Sequence, residues 1–207
     1  MTAKVVQLEV GLMANFTYII ADEENKVAAI VDPSWDLDKI YETLDKNKWH
    51  VEMIINTHNH FDHVIGNEQV ASRTGAPIVQ HEQSTLKGKH VSVSDGETVK
   101  LGQIKIKVLH TPGHSKESIC LLINGKFVLT GDTLFVEDCG RVDLPGGDVN
   151  EMYDSLYNKV SLLDETLIVY PGHNYGTSTW STIAKVKKSN RALLSRSREE
   201  FIEYMTS

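Results

Sequence analysis

Long apolar runs are missing from this chain: no stretch approaches the roughly 20 residues needed to cross a bilayer, which argues against an integral membrane protein. The opening segment MTAKVVQLEVGLMANFTYII is broken by lysine, glutamate and glycine and has no cleavage-like run of small residues, so no secretion signal is read and a cytoplasmic location is expected. Basic residues are in deficit, 21 against 28 acidic ones for a formal net charge of -7. No overall field draws polyanions, and nucleic acid is not an expected partner. Cysteine is scarce as well. Cys120 and Cys139 read as two free thiols in a reducing compartment, and Cys120, inside the apolar SICLLI, reads as core. No low-complexity linker or sequence repeat interrupts the 207 residues, so 1–207 is expected to form one domain ending in a short helical tail.

What is present is a strand-and-helix grammar used twice. KVVQLEV, NFTYIIA and VAAIVD read as strands separated by Gly11 and the polar DEEN. DLDKIYETLDKNK then sets Leu37, Ile40, Tyr41 and Leu44 at helical spacing. MIINT is an apolar strand, VIGNEQVASRTG reads as one helix, and PIVQH as the next strand. In the second half IKIKVLH, SICLLI, KFVLTGD and TLIVY are strands and EMYDSLYNKVSLL is a helix. The alternation in IKIKV predicts one wet face, whereas LLI and LIVY predict burial on both. Helices covering two sheets, an α/β (α+β) four-layer αββα sandwich, fit this pattern.

The densest chemistry is Thr57-His58-Asn59-His60-Phe61-Asp62-His63, directly after an apolar strand. Residues two apart in an extended segment project to one side, so His58 and His60 can converge on one ion while the following turn sends Asp62 and His63 toward a second. Three further candidates follow other apolar strands: His114 in TPGHS, Asp132 in VLTGDT and His173 in VYPGHN. One Pro-Gly-His is explained by a turn alone; two of them, with Gly-Asp and the histidine cluster, point to a metal centre on strand-end loops.

The HxHxDH pattern formed by His58, His60, Asp62 and His63 resembles that of the metallo-β-lactamase superfamily, and the match runs through nearly the whole chain. The resemblance implies the four-layer metallo-β-lactamase sandwich. It also implies two divalent metal ions, zinc first, with iron or manganese as alternatives. His58, His60 and His114 would surround one ion and Asp62, His63 and His173 the other, with Asp132 bridging and a hydroxide between them. Asp62 and Asp132 are the carboxylates expected to act in catalysis, Asp62 by orienting that hydroxide. Classical lactam-cleaving relatives often carry a cysteine where this chain resembles the bridging-aspartate branch, so antibiotic hydrolysis is disfavoured and thioester chemistry favoured.

Within the superfamily, GDTLFVEDCGRVDLPGGD and YPGHNYG resemble the glyoxalase II (hydroxyacylglutathione hydrolase) and persulfide dioxygenase branch. Cys139, Arg141 and Tyr175 lie in these segments, and the resemblance implies that Arg141 and Tyr175 contact a small thioester or glutathione-like thiol substrate. No counterpart of the large helical domain of glyoxalase II is expected in these 207 residues. Hydrolysis is the first expectation; the alternative is a persulfide dioxygenase with a single Fe(II) on His58, His114 and Asp132, a facial triad suited to oxygen. Lys185, Lys187, Lys188 and Arg191 read as a solvated helix face. His50, His81, His90 and His110 are expected to have ordinary roles, Trp35, Trp49 and Trp180 to pack, and Phe135 and Val136 to line the pocket.

Overall fold

The computed structural model describes residues 3–195 and 197–207. Among the described residues, twelve strands form two six-stranded sheets. The first sheet contains β1 (Ala3–Val10), β2 (Asn15–Asp22), β3 (Val27–Val31), β4 (His50–Ile55), β5 (Ile78–His81) and β6 (His90–Val93), side by side in chain order. The second contains β7 (Thr98–Leu101), β8 (Ile104–His110), β9 (Ile119–Ile123), β10 (Phe127–Gly131), β11 (Ile168–Pro171) and β12 (Ser181–Thr182), again in order. Hairpins give antiparallel neighbours, while β3–β4, β4–β5, β5–β6 and β10–β11 are parallel and need crossovers. The helices α1 (Leu37–Asn47), α2 (Phe61–Val64), α3 (Asn67–Thr74) and α4 (Val149–Tyr157) lie in these crossovers, and α5 (Ile183–Ser189) and α6 (Arg198–Thr206) follow the last strand.

Side-chain parity assembles the layers. On β2, Phe16, Tyr18 and Ile20 point into the cluster between the sheets, where they meet Ile106, Val108, Ile119 and Leu121. The intervening Ile19 and Ala21 point the other way, into a second cluster with Ile40, Tyr41 and Leu44 of α1 and Val70 of α3. On the far side, Cys120, Val128 and Val169 pack against Met152 and Leu156 of α4, Ile183 of α5 and Phe201 of α6. Two-faced burial of this kind requires the near-continuous apolar runs seen in NFTYII and ICLLI. Lys105 and Lys107 keep the early outer face of β8 wet, as the alternation predicts. The αββα sandwich is therefore the fold. Both cysteines are free and buried.

Two local expectations need correction. The segment read as one helix over VIGNEQVASRTG is two: α2 ends at Val64 and α3 starts after Gly66, which donates its N–H to Pro33 O at 3.0 Å and so breaks the run. β6, β7 and β12 were absent from the strand pattern. The first two are edge strands with one buried residue each, and the third has two residues. No helix among the described residues is long and apolar enough to cross a membrane.

Candidate metal centre

Strand direction gathers the chemistry at one rim. The parallel pair β3–β4 ends at Asp32 and at the His58–His63 segment. In the other sheet β8, β10 and β11 run the same way, since two antiparallel steps separate β8 from β10, and they end near His114, at Asp132 and at His173. Both Pro-Gly-His loops need their glycine. A Cβ on Gly113, which has φ 133°, would collide with the backbone of Met152, and one on Gly172 would collide with Oδ1 of Asp132. The Gly113 loop is also fixed to α4: Asp148 N donates to Gly113 O at 2.9 Å and Ser155 Oγ to Pro112 O at 2.6 Å.

The ligand-type atoms form two trios that span the rim, His58/His60/His114 and Asp62/His63/His173, each with its atoms within 4.8 Å of one another; Asp32, His58 and His63 make a third group of the same size that lies wholly on loops of the first sheet. Each trio takes two members from the first sheet's loop and one from the second sheet's. Asp132 touches both: Oδ2 lies 3.5 Å from His114 Nε2 and 3.3 Å from His173 Nε2, and Oδ1 lies 3.5 Å from His63 Nε2. All seven residues are buried except His60, which is half-buried.

The outward nitrogens fix the tautomers. A carbonyl can only accept, so His114 Nδ1 donates to Arg141 O at 2.7 Å and His173 Nδ1 to Met13 O at 2.9 Å. His63 Nδ1 donates to Asp32 Oδ2 at 3.1 Å. Thr57 Oγ1 gives its proton to Asp32 Oδ2 at 2.5 Å and accepts from His58 Nδ1 at 3.1 Å. These contacts leave Nε2 of four rings as lone pairs aimed inward. His58 Nε2 and Asp132 Oδ1 are buried with no hydrogen-bond partner among the described residues, and the Nε2 atoms of His63 and His173 stand 3.1 Å apart. Two facing lone pairs repel unless a proton or a cation lies between them. The donor set, imidazole nitrogen plus carboxylate oxygen with the opposite ring nitrogens tied down, fits divalent transition metals.

Electrostatics supports the same reading. Burial, reinforced by neighbouring imidazoles, holds His58 and His60 below the usual histidine range, so both are neutral donors. Burial also opposes charge on Asp132, but His63, His173 and His58 around it hold its carboxyl well below the usual range. For His63 burial is outweighed by Asp132, Asp32 and Asp62, which raise it to about 9. A ring whose value is about 6.5 unfolded and about 9 folded stabilises the metal-free chain fully below pH 6.5. That contribution is lost as pH rises through 9. We expect the chelated protein to melt several degrees lower at pH 9.5 than at pH 6, and the metal-loaded protein, in which the cation replaces this proton, to show no such loss over that interval. Equal melting temperatures for the chelated protein at the two pH values would contradict the assignment of a proton to His63.

Beside the trios a cavity of about 670 Å³ is lined by His60, Asp62, Asp132 and His173, with Met13, Phe61, Phe135, Leu144 and Tyr175 as apolar wall and Arg141 and Arg191 as cations. Tyr175 stacks on His173 with ring centroids 4.5 Å apart. Phe135 lines the cavity as expected, whereas Val136 is buried outside the lining. Arg141 is held by Asp143 through two bonds of 2.6 Å, both residues being exposed. The basic tail divides: Lys185, Lys187 and Lys188 are exposed on α5, but Arg191 reaches the cavity, its Nε 4.0 Å from Asp138. His81 and His110 stack on each other at 4.0 Å, away from the trios. Trp49 is buried, Trp35 meets Phe61 edge-on, and Trp180 is largely exposed.

Two residues escaped the sequence reading. Asp32 is buried and accepts from Thr57 N at 2.7 Å, Thr57 Oγ1 and His63 Nδ1. Its signal was available, because an acid closing an apolar strand before a proline occupies the same kind of place as Asp132. Asn15 donates to Asp62, and as one amide at a strand start it carried no sequence signal.

The sequence profile described as metallo-beta-lactamase superfamily matches residues 10–173. The chain is 31% identical to the probable polyketide biosynthesis zinc-dependent hydrolase PksB of Bacillus subtilis, over 93% of this chain and 87% of that protein. It is 36% identical to a hydroxyacylglutathione hydrolase of Polaromonas over 78% of its own length, and there it spans only 62% of the relative. Among solved structures, ETHE1 from Myxococcus xanthus superposes with a TM-score of 0.92 and 34% identity, covering 100% of this chain and 91% of that one. Strand-end ligand trios, an αββα frame and a profile that runs from the first hairpin to His173 converge on one assignment: the chain belongs to the metallo-β-lactamase superfamily.

Proposed function

We propose that this chain is a binuclear metallo-hydrolase that cleaves thioesters, of the hydroxyacylglutathione hydrolase kind, with residues 1–207 as one catalytic unit. The observation that carries this reading is the Asp132 carboxylate, within 3.5 Å of members of both trios. Two divalent ions, zinc by preference, would make water a nucleophile at neutral pH and polarise the acyl carbonyl. The chain supplies the rest. His58, His60 and His114 would hold one ion and Asp62, His63 and His173 the other, with Asp132 common to both. The carboxylates of Asp62 and Asp132 face the cavity and orient the attacking water. Phe135 and Tyr175 form an apolar wall against the His173 ring, a place for an acyl chain. A thiolate leaves without a proton near neutral pH, so the site needs no general acid beside the sulfur.

The substrate's thiol half is proposed to be glutathione-like, held by Arg141 and Tyr175. An exposed pair such as Arg141–Asp143 contributes little, so a substrate carboxylate can displace Asp143 from the guanidinium. The test is hydrolysis of S-acylglutathione by metal-reconstituted protein. Arg141→Ala should raise KM about tenfold with kcat nearly unchanged and metal content intact, since the Arg141 atom that holds His114 is the backbone carbonyl. Arg141→Lys should recover part of the loss. Kinetics identical for all three proteins would remove Arg141 from the site.

A second reading, a persulfide dioxygenase with one Fe(II), is favoured by one observation: His58 and His114 belong to one trio, and Asp132 lies 3.5 Å from His114, a two-histidine, one-carboxylate set. Oxygen uptake with glutathione persulfide by the iron-loaded protein, together with no thioester turnover, would put it first.

A further inference from the structure

We infer that Asn15 is a positioning residue for the second ion, acting by holding Asp62 in its ligand geometry; the inference rests on the binuclear reading above. Asn15 opens β2 and is buried. Its Nδ2 donates to Asp62 Oδ2 at 2.9 Å and to Asp62 O at 3.1 Å, and lies 3.5 Å from His63 Nε2. Its backbone meets the third member of the same trio through a β-bridge to His173. The flanking bonds are Phe16 N to Gly172 O at 2.8 Å and Asn174 N to Ala14 O at 2.7 Å. One residue thus meets all three members of the Asp62/His63/His173 trio, and its side chain makes no hydrogen bond to the His58/His60/His114 trio among the described residues.

The hydrogen-bond pattern separates positioning from packing. Asn15 Oδ1 is buried without a partner among the described residues, and such an orphan destabilises the fold. Asp62 O has a second donor in Ser34 Oγ, so the backbone there does not depend on Asn15. Among the described residues, Asn15 is the neutral donor to Asp62 Oδ2. A carboxylate that must present an oxygen to a cation is fixed by such a donor, and losing an outer partner of a ligand typically weakens metal binding by roughly 10–100-fold.

The experiment strips the protein with chelator and titrates wild type, Asn15→Ala and Asn15→Asp with Co(II). Binding is followed by visible absorption and by metal content per chain, alongside melting of each metal-free protein. Wild type should bind two ions. In Asn15→Ala the first binding event should be unchanged, the second weakened 10–100-fold, and the metal-free melting temperature changed little, because the orphan oxygen goes together with the donor lost from Asp62 Oδ2. Asn15→Asp keeps the shape, cannot donate when ionised and repels Asp62, so it should weaken the second event at least as much. Two unaltered binding events in both variants would overturn the inference and leave the binuclear reading standing. A wild type that binds only one ion would overturn both. Equal weakening of the two events, with a lower metal-free melting temperature, would make Asn15 a structural residue and end the inference as well.

Discussion

Asp132→Ala should lower thioester turnover about a thousandfold or more and remove bound metal, while the two sheets stay folded. The size follows from what a metal pair contributes, several kcal/mol at the transition state, with about 1.4 kcal/mol for each factor of ten. Asp132 lies within 3.5 Å of members of both trios, so its loss would remove a ligand from each. It also removes the charge that most strongly offsets burial at His63. The fold should survive because the cluster between the sheets, from Phe16 to Leu129, has no need of the rim. His58→Ala should act in the same direction, and His81→Ala, removed from either trio, should keep full metal content. Metal bound normally by Asp132→Ala would sink the assignment of this carboxylate.

The second large effect is expected at Asp32, in two separable ways. Asp32→Ala strips acceptors from the buried Thr57 N, Thr57 Oγ1 and His63 Nδ1 together, and puts alanine at φ 51°. Orphaned buried donors cost about 1–3 kcal/mol each, so this variant should lose about 3 kcal/mol or more in a urea titration. Asp32→Asn is the sharper probe. Asparagine tolerates the left-handed backbone, and its amide oxygen can still accept from Thr57 N. Its NH2 must then take the place of Oδ2 and face His63 Nδ1. That ring would have to accept there and carry its proton on Nε2, the atom needed inward. Asp32→Asn should therefore fold with nearly normal stability and yet bind the second ion roughly 10–100-fold more weakly. Normal metal affinity in Asp32→Asn would show that the tautomer of His63 is not controlled from this side.

The legible part of this protein is the part written in spacing. Alternation in IKIKVLH and unbroken apolar runs such as ICLLI marked strands whose parity the structure reproduces residue by residue. The HxHxDH segment divides into two trios because an extended stretch gives way to the short α2 at Phe61. The illegible part depends on what meets across the fold. Edge strands β6 and β7 bury one face weakly, so HVSV and TVKL lack an apolar signature. Arg191 sits in a run that reads as a solvated helix, and only the turn after α5 brings it to the cavity. Asn15 lies 47 residues from Asp62, and no local pattern records that pairing.

Because each trio draws two members from one sheet and one from the other, an ion held in either place would be a clasp across the open rim of the sandwich. The sheets cannot part there without releasing it. Metal occupancy then becomes a determinant of the protein's lifetime as well as of its chemistry: free ion at a hundred times its dissociation constant adds about 2.7 kcal/mol against unfolding. Scarcity of metal would be felt first as faster proteolytic turnover of the chain, before any shortage of substrate processing could be attributed to the idle site itself.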